Sequence, residues 1–173
     1  MRRSHIRCPD YKSPCPVLRS EGSFDHVLPT DCSIRTSIPM LDLSGLKPGL
    51  KGTANLIVGP EHTAARVGSG RIAVLATPVL INLIEAAALD CCEQLLPPGH
   101  QSLGIHLDVR HFAATPVGMR IRATAELVRV DGRTLVFQVE AHDEKEPIGN
   151  GSHERVVVNV ARFDQRIQKK LGA

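Results

Sequence analysis

The chain has no tryptophan and a single tyrosine, Tyr11; with Phe24, Phe112, Phe137 and Phe163 its aromatic residues make up 3% of 173 positions. Five scattered rings supply no stacking platform for single-stranded nucleic acid. A net charge of +3 is too small for a phosphate-neutralising face, which leaves nucleic acid out as a partner. Long apolar runs are missing too: no stretch approaches the roughly 20 residues of a membrane-spanning helix, so no membrane association is expected. The opening MRRSHIRCPDYK has the positive start of a secretory signal without the apolar segment that should follow, which points to a cytoplasmic protein. Cysteine is sparse. Cys8, Cys15 and Cys32 are scattered near the start and Cys91 and Cys92 are adjacent; with no CxxC pair there is neither a disulfide framework nor a zinc site to read. The thiols read as structural or incidental, and no metal is expected.

What is present divides at about Gly45. Residues 1–45 carry Pro9, Pro14, Pro16, Pro29 and Pro39 among charges and serines, without apolar periodicity, and read as a poorly ordered leader; periodic sequence begins just after Met40, an alternative start. Residues 46–173 read as one domain with room for a proper core. LKGTANLIV is a first strand, and GPEHTAARVGSGRIAVLA a polar connection. TPVLINLIEAAALDCCEQLLPPG is a helix: Thr77 suits the N-cap, Pro78 the first helical position, and Pro97, Pro98 and Gly99 stop it. Between Val79 and Leu89 only Asn82 and Glu85 are polar, the mark of a buried helix. Four strand-like stretches follow, SLGIHLDVRHFAAT, MRIRATAELVRV, RTLVFQVEAHD and SHERVVVNVARF, with a hairpin signal at Asp131–Gly132 and the loop EKEPIGNG before the last. A short basic tail with Lys169 and Lys170 closes the chain. An antiparallel sheet buries one face, and the apolar helix is what it can bury it against. The expected class is α+β, a sheet wrapped around a central helix.

Polar residues stand where this pattern wants aliphatics. Under period-two alternation Ile105, Leu107, Val109 and His111 share the apolar face of their strand. Glu85 lies two turns into the apolar helix. An unpaired polar group in either place costs about 1–3 kcal/mol. A sheet curled on the helix brings the two faces together, so a core carboxylate and imidazole within mutual reach, the parts of a general acid/base site, are expected. Each also has a structural reading, as a tether or a satisfied core histidine. Thr77 is an N-cap by the same reasoning, though a helix N-terminus also suits an anion or a polarised carbonyl. Gly104 interrupts a strand, as at a bulge or a close ligand approach. Arg155, opposite in parity to Val156 and Val158, is either a solvated face residue or a phosphate or carbonyl ligand. His142–Asp143 and His153–Glu154 read as solvent-exposed turn residues rather than metal ligands, and Ser102 and Ser152 lack a nucleophile elbow.

The stretches LATPVLINLIEAAA, GHQSLGIHLDVRHFAATPVGMRIRATAEL and VDGRTLVFQVEAHDEKEPIGNGSHERVVV resemble the hotdog-fold thioesterases, in the branch of the fluoroacetyl-CoA thioesterases. The likeness spans roughly Leu46 to Leu171 and rests on a threonine eight residues before a helical glutamate, the H-x-A-A-T-P turn and a closing S/T-H-E-R strand. It implies a hotdog fold, an acyl-CoA substrate and no cofactor beyond that substrate's own coenzyme A, with catalytic Thr77, Glu85 and His111, and Gly104 and Arg155 contacting the coenzyme A thioester. It further implies a homodimer with active sites at the subunit interface. The modest basic excess suits a polyanion such as coenzyme A. One departure is visible: RVGSGRIAVLAT has no aromatic residue where the fluoroacetyl-CoA enzymes carry phenylalanines, which predicts a different acyl group. The expected activity is hydrolysis of an acyl-CoA to the free acid and coenzyme A. The same scaffold also accommodates an enoyl-CoA hydratase or dehydratase, or a module that binds acyl-CoA without turnover.

Overall fold

The computed structural model describes residues 41–172. Of the leader expected over residues 1–45, residues 1–40, with Cys8, Cys15, Cys32 and the alternative start at Met40, lie outside the described residues. Leu41 and Leu43 pack against the core that Leu46 enters, so packing begins ahead of the expected boundary at Gly45.

Five strands form one antiparallel sheet in the order β1-β3-β4-β5-β2: β1 Lys51–Ile57, β2 His100–His111, β3 Arg120–Asp131, β4 Thr134–Asp143 and β5 Pro147–Asn159. The sheet curls against the long helix α2, Thr77–Cys92. Leu80, Leu83, Ile84, Ala87, Ala88, Cys91 and Cys92 of α2 are buried, facing Ile121, Ala123, Ala125, Leu135, Phe137, Val139 and Ala141. Small side chains set the spacing. A Cβ on Gly52 of β1 would run into the backbone of Ala87 and Cys91, so the helix axis lies closer to this strand than any other residue allows. Ile84 is fully buried at the centre, where truncation to alanine costs about 2–5 kcal/mol.

The connection after β1 folds into a 3₁₀ turn, Pro60–His62, and a short helix α1, Ala64–Val67, which Gly68 ends at φ 80° in the left-handed region. It returns toward α2 through backbone bonds Ala64 N–H to Val74 O and Leu75 N–H to Thr115 O. No helix among the described residues is long and apolar enough to cross a membrane.

Four local expectations are corrected. Thr77 is the first helical residue rather than the cap; Ala76 holds the cap position without a side-chain bond, so the Thr77 hydroxyl is free for other work. The helix is not buried all round: Pro78, Asn82, Ala86 and Leu89 form an exposed stripe. The loop EKEPIGNG is largely strand, because Gly149 and Gly151 carry no side chains and let β5 pair closely with His111 and Val109 of β2. The basic tail is helix α3, Val160–Leu171. The Asn159 side chain accepts from Arg162 N–H at its start, and Gly172 closes it in the left-handed region. Its charged residues dominated the composition and hid the period of Val160, Phe163, Ile167 and Leu171.

Candidate functional site

Two polar clusters lie along α2. The first is at its N-terminus. The Thr77 hydroxyl and His111 Nδ1 are 2.9 Å apart, joining the first helical turn to the end of β2. His111 is half-buried, and its Nε2 is buried with no hydrogen-bond partner among the described residues. Burial holds its pKa below the usual 6.5, so the ring is neutral at physiological pH, one nitrogen engaged by Thr77 and the other buried without a partner among the described residues. Both residues line a cavity of about 380 Å³ together with Ala64, Val74, Leu75 and Ala113 and the exposed Ser69–Ile72, Phe112 and Ala114.

The second cluster lies two turns along the helix. A Cβ on Gly104 would collide with the Glu85 carboxylate and come within 3.1 Å of His153 Cε1, so carboxylate, imidazole and bare glycine backbone share one spot. His153 is fully buried. Its Nδ1 is 2.9 Å from His106 O, and Arg155 Nη1 lies 3.2 Å from its Nε2. An arginine only donates, so Nε2 accepts and Nδ1–H donates to the carbonyl, which fixes a neutral tautomer. Burial first, and then the Arg155 charge, keep this ring's pKa low. Arg155, 3% exposed, also donates through Nε to Ser102 Oγ and through Nη2 to Ser102 O, each at 2.9 Å. Ser102 Oγ–H donates to Glu93 Oε2 at 2.8 Å.

Burial pushes the Cys92 thiol up to about 11 and raises Cys91 as well, so neither is a thiolate nucleophile at neutral pH. Among the described residues no group of three or more His, Cys, Asp or Glu side chains could hold a metal ion.

These positions answer the sequence reading unevenly. Thr77 and His111 meet. Glu85 and His111 of one chain do not partner each other: the eight helical steps from Thr77 to Glu85 rise about 12 Å, and Glu85 sits beside Gly104 and His153. The alternation that placed Ile105 inward fails, since Ile105 is 55% exposed. The ladder slips between Gly104 and His106, and this bulge switches the inward face from even positions such as Ser102 to odd ones such as Leu107 and His111. Gly104 stands at that irregularity. Arg155 is neither solvated nor open to a ligand within this chain, because its guanidinium is enclosed by Ser102 and His153. His153 is no turn residue, since β5 begins six residues earlier. The run Val156–Val158 is apolar at both parities and concealed which face His153 and Arg155 take; the buried Val157 shares theirs. Sequence reasoning missed the partnership of Ser102 and Glu93 with Arg155.

The comparisons with known proteins agree on one relationship. The sequence pattern of a family described as the fluoroacetyl-CoA-specific thioesterase, FlK, matches residues 58–161. The fluoroacetyl-CoA thioesterase of Streptantibioticus cattleyicolor is 36% identical over 135 residues, covering 75% of this chain and 97% of that protein. A crystal structure of FlK superposes with a TM-score of 0.68 at 36% identity, covering 73% of this chain and 98% of that one. A thioesterase superfamily member from Thermus thermophilus gives 0.67 at 26% identity, over 73% and 96%, and a hot-dog-like protein from Thermanaerovibrio acidaminovorans shares the fold at 0.68. An antiparallel sheet curled on one long helix, in this company, defines a hotdog-fold thioester hydrolase. Within that class the chain belongs to the fluoroacetyl-CoA-specific thioesterase family.

Proposed function

We propose that this protein hydrolyses an acyl-CoA to the free acid and coenzyme A in a site built by two copies of the chain, with Thr77 and His111 from one and Glu85 from the other. The observation that carries the reading is the 2.9 Å Thr77–His111 pair at the wall of the cavity, with a buried imidazole nitrogen that has no partner among the described residues. Glu85 is too far along the same helix to join that pair, which favours a partner's carboxylate. Surfaces for such a partner exist: β2 is a sheet edge, its Leu103 and Ile105 are exposed, and the outer stripe of α2 carries Pro78, Ala86 and Leu89. An unpaired edge with exposed aliphatics is a template for a second strand.

Chemically, Glu85 takes a proton from water as the oxygen adds to the thioester carbonyl carbon. The C–S bond then breaks, and the proton passes to the departing sulfur through His111. The neutral imidazole suits this role because it accepts and returns a proton near pH 7. Thr77 holds the imidazole by its hydroxyl, and the amide N–H groups of the first helical turn face the developing oxyanion. Gly104 leaves room for the Glu85 carboxylate beside the thioester, while Arg155 is engaged in bracing His153 and Ser102 instead of touching coenzyme A. No cofactor is required beyond the coenzyme A of the substrate, and we read the enzyme as cytoplasmic.

Thiol release by purified protein from acyl-CoAs running from acetyl to long-chain, fluoroacetyl included, tests the reading. Wild type releases coenzyme A and Glu85→Gln loses most of that activity. Formation of 3-hydroxyacyl-CoA without free thiol identifies a hydratase instead, and tight binding without product a carrier.

A further inference from the structure

The cavity beside Thr77 and His111 is lined by Ala64, Ile72, Val74, Leu75, Phe112, Ala113 and Ala114, with one formally charged side chain, Arg71. Among the described residues Arg71 has no carboxylate within ion-pair distance; the salt bridges found join Lys51 to Glu126 and Arg129 to Asp131, with weaker contacts at His62 and His142. The loop that carries it is pinned on both sides. Ser69 N–H donates to Ala64 O at 3.0 Å, Leu75 N–H to Thr115 O at 2.8 Å, and Ala64 N–H to Val74 O at 2.9 Å. An exposed arginine among the lining residues of a small, mainly apolar cavity that also holds the Thr77–His111 pair matches a ligand with a short carbon stem and an anionic head.

We infer that the acyl group bears a terminal carboxylate, which pairs with Arg71 while its methylenes lie against Val74, Leu75 and Ala113. This rests on the thioesterase reading above and names its substrate class, the carboxyacyl-CoAs. A planar guanidinium grips a carboxylate through two parallel N–H donors, a geometry lysine does not reproduce. The phosphates of coenzyme A are a less suitable partner. The pantetheine arm separates them from the thioester by more than the width of a 380 Å³ cavity, so an anion reaching Arg71 from within the cavity belongs to the acyl side.

The test compares kcat/KM for isosteric pairs that differ in charge alone, malonyl- against isovaleryl-CoA and glutaryl- against isoheptanoyl-CoA, in wild type, Arg71→Ala and Arg71→Lys. Wild type is expected to favour the carboxylated member in at least one pair. In Arg71→Ala that preference falls about 10- to 100-fold, the worth of a charged hydrogen bond, and Arg71→Lys recovers only part of it. A wild-type preference for the neutral member in both pairs, or a ratio that Arg71→Ala leaves unchanged, overturns the inference. Equal losses for both members overturn it too, since Arg71 then serves the coenzyme or the carbonyl common to all substrates. Hydrolysis of the neutral pair members keeps the thioesterase reading alive in each of these cases, whereas a folded protein that releases no thiol from any member overturns that reading as well.

Discussion

The two polar clusters on α2 use the same residue types and finish them differently. At Glu85 the surroundings are closed: His153 has partners at both ring nitrogens, Arg155 is bonded at three nitrogens and Ser102 reaches Glu93. At Thr77 and His111 one bond is made and one buried nitrogen is left over. Satisfied buried polar groups fix geometry, while an unsatisfied one marks a place where something else binds. Under the proposed function the second cluster supplies rigidity and the first supplies chemistry, and Glu85 is where the two roles would meet across a pair of chains.

Replacing Glu85 should break the comparison most severely. Glu85→Gln keeps the shape and removes the charge; kcat falls by about 10²- to 10⁴-fold, the usual range for general acid/base assistance, with an unchanged thermal midpoint. A second variant displaces the same carboxylate without deleting it. In Gly104→Ala the new methyl group occupies the space of the Glu85 carboxylate, a flexible group that can yield, so the fold survives while kcat drops about 10²-fold, as for misplacement by an ångström. A loss of stability larger than the loss of activity would show that Gly104 serves packing rather than the carboxylate.

Arg155→Met takes the donors away from the rigid cluster. Ser102 and the His153 nitrogen lose their partner in a buried place, at a cost of about 1–3 kcal/mol, read as a lower denaturation midpoint. If activity vanished and stability held, Arg155 would be a substrate ligand after all. Smaller still is the response to pH. Burial lowers the pKa of both His111 and His153 from 6.5, so below about pH 6.5 the unfolded chain takes up protons that the folded chain refuses. Stability is therefore complete above that pH and declines as pH falls toward the folded values. Thermal unfolding across this range checks the sign, and His153→Gln, which has no titrating ring, should flatten part of the decline.

How much of this was legible in the sequence follows from where local pattern and long-range pairing agree. The helix with its Thr77–Pro78 start and the Asp131–Gly132 hairpin is set by neighbouring residues, and the antiparallel α+β architecture follows from their order. His111 and Glu85 were visible because each breaks an apolar pattern. Parity along a strand fails once a bulge intervenes, which is why Ile105 was placed inward. His153 was misplaced in an exposed turn and Arg155 left between two readings, because the three valines after them fit either face. That Glu85 and His111 of one chain stay apart depends on helix length and on the register of β2 against β5, neither written at those residues. Arg71 reaches the cavity only because Gly68 turns the chain back, a tertiary consequence that composition does not reveal.

The most direct test of a site shared between chains is complementation. Glu85→Gln and His111→Ala are each expected to be nearly inactive alone. Mixed in equal amounts and allowed to exchange subunits, half of the dimers become mixed, and each of these has one whole site of two, restoring about a quarter of wild-type turnover. Mixed dimers that form, as mass measurement would establish, yet stay inactive would contradict the account and return all three residues to a single chain.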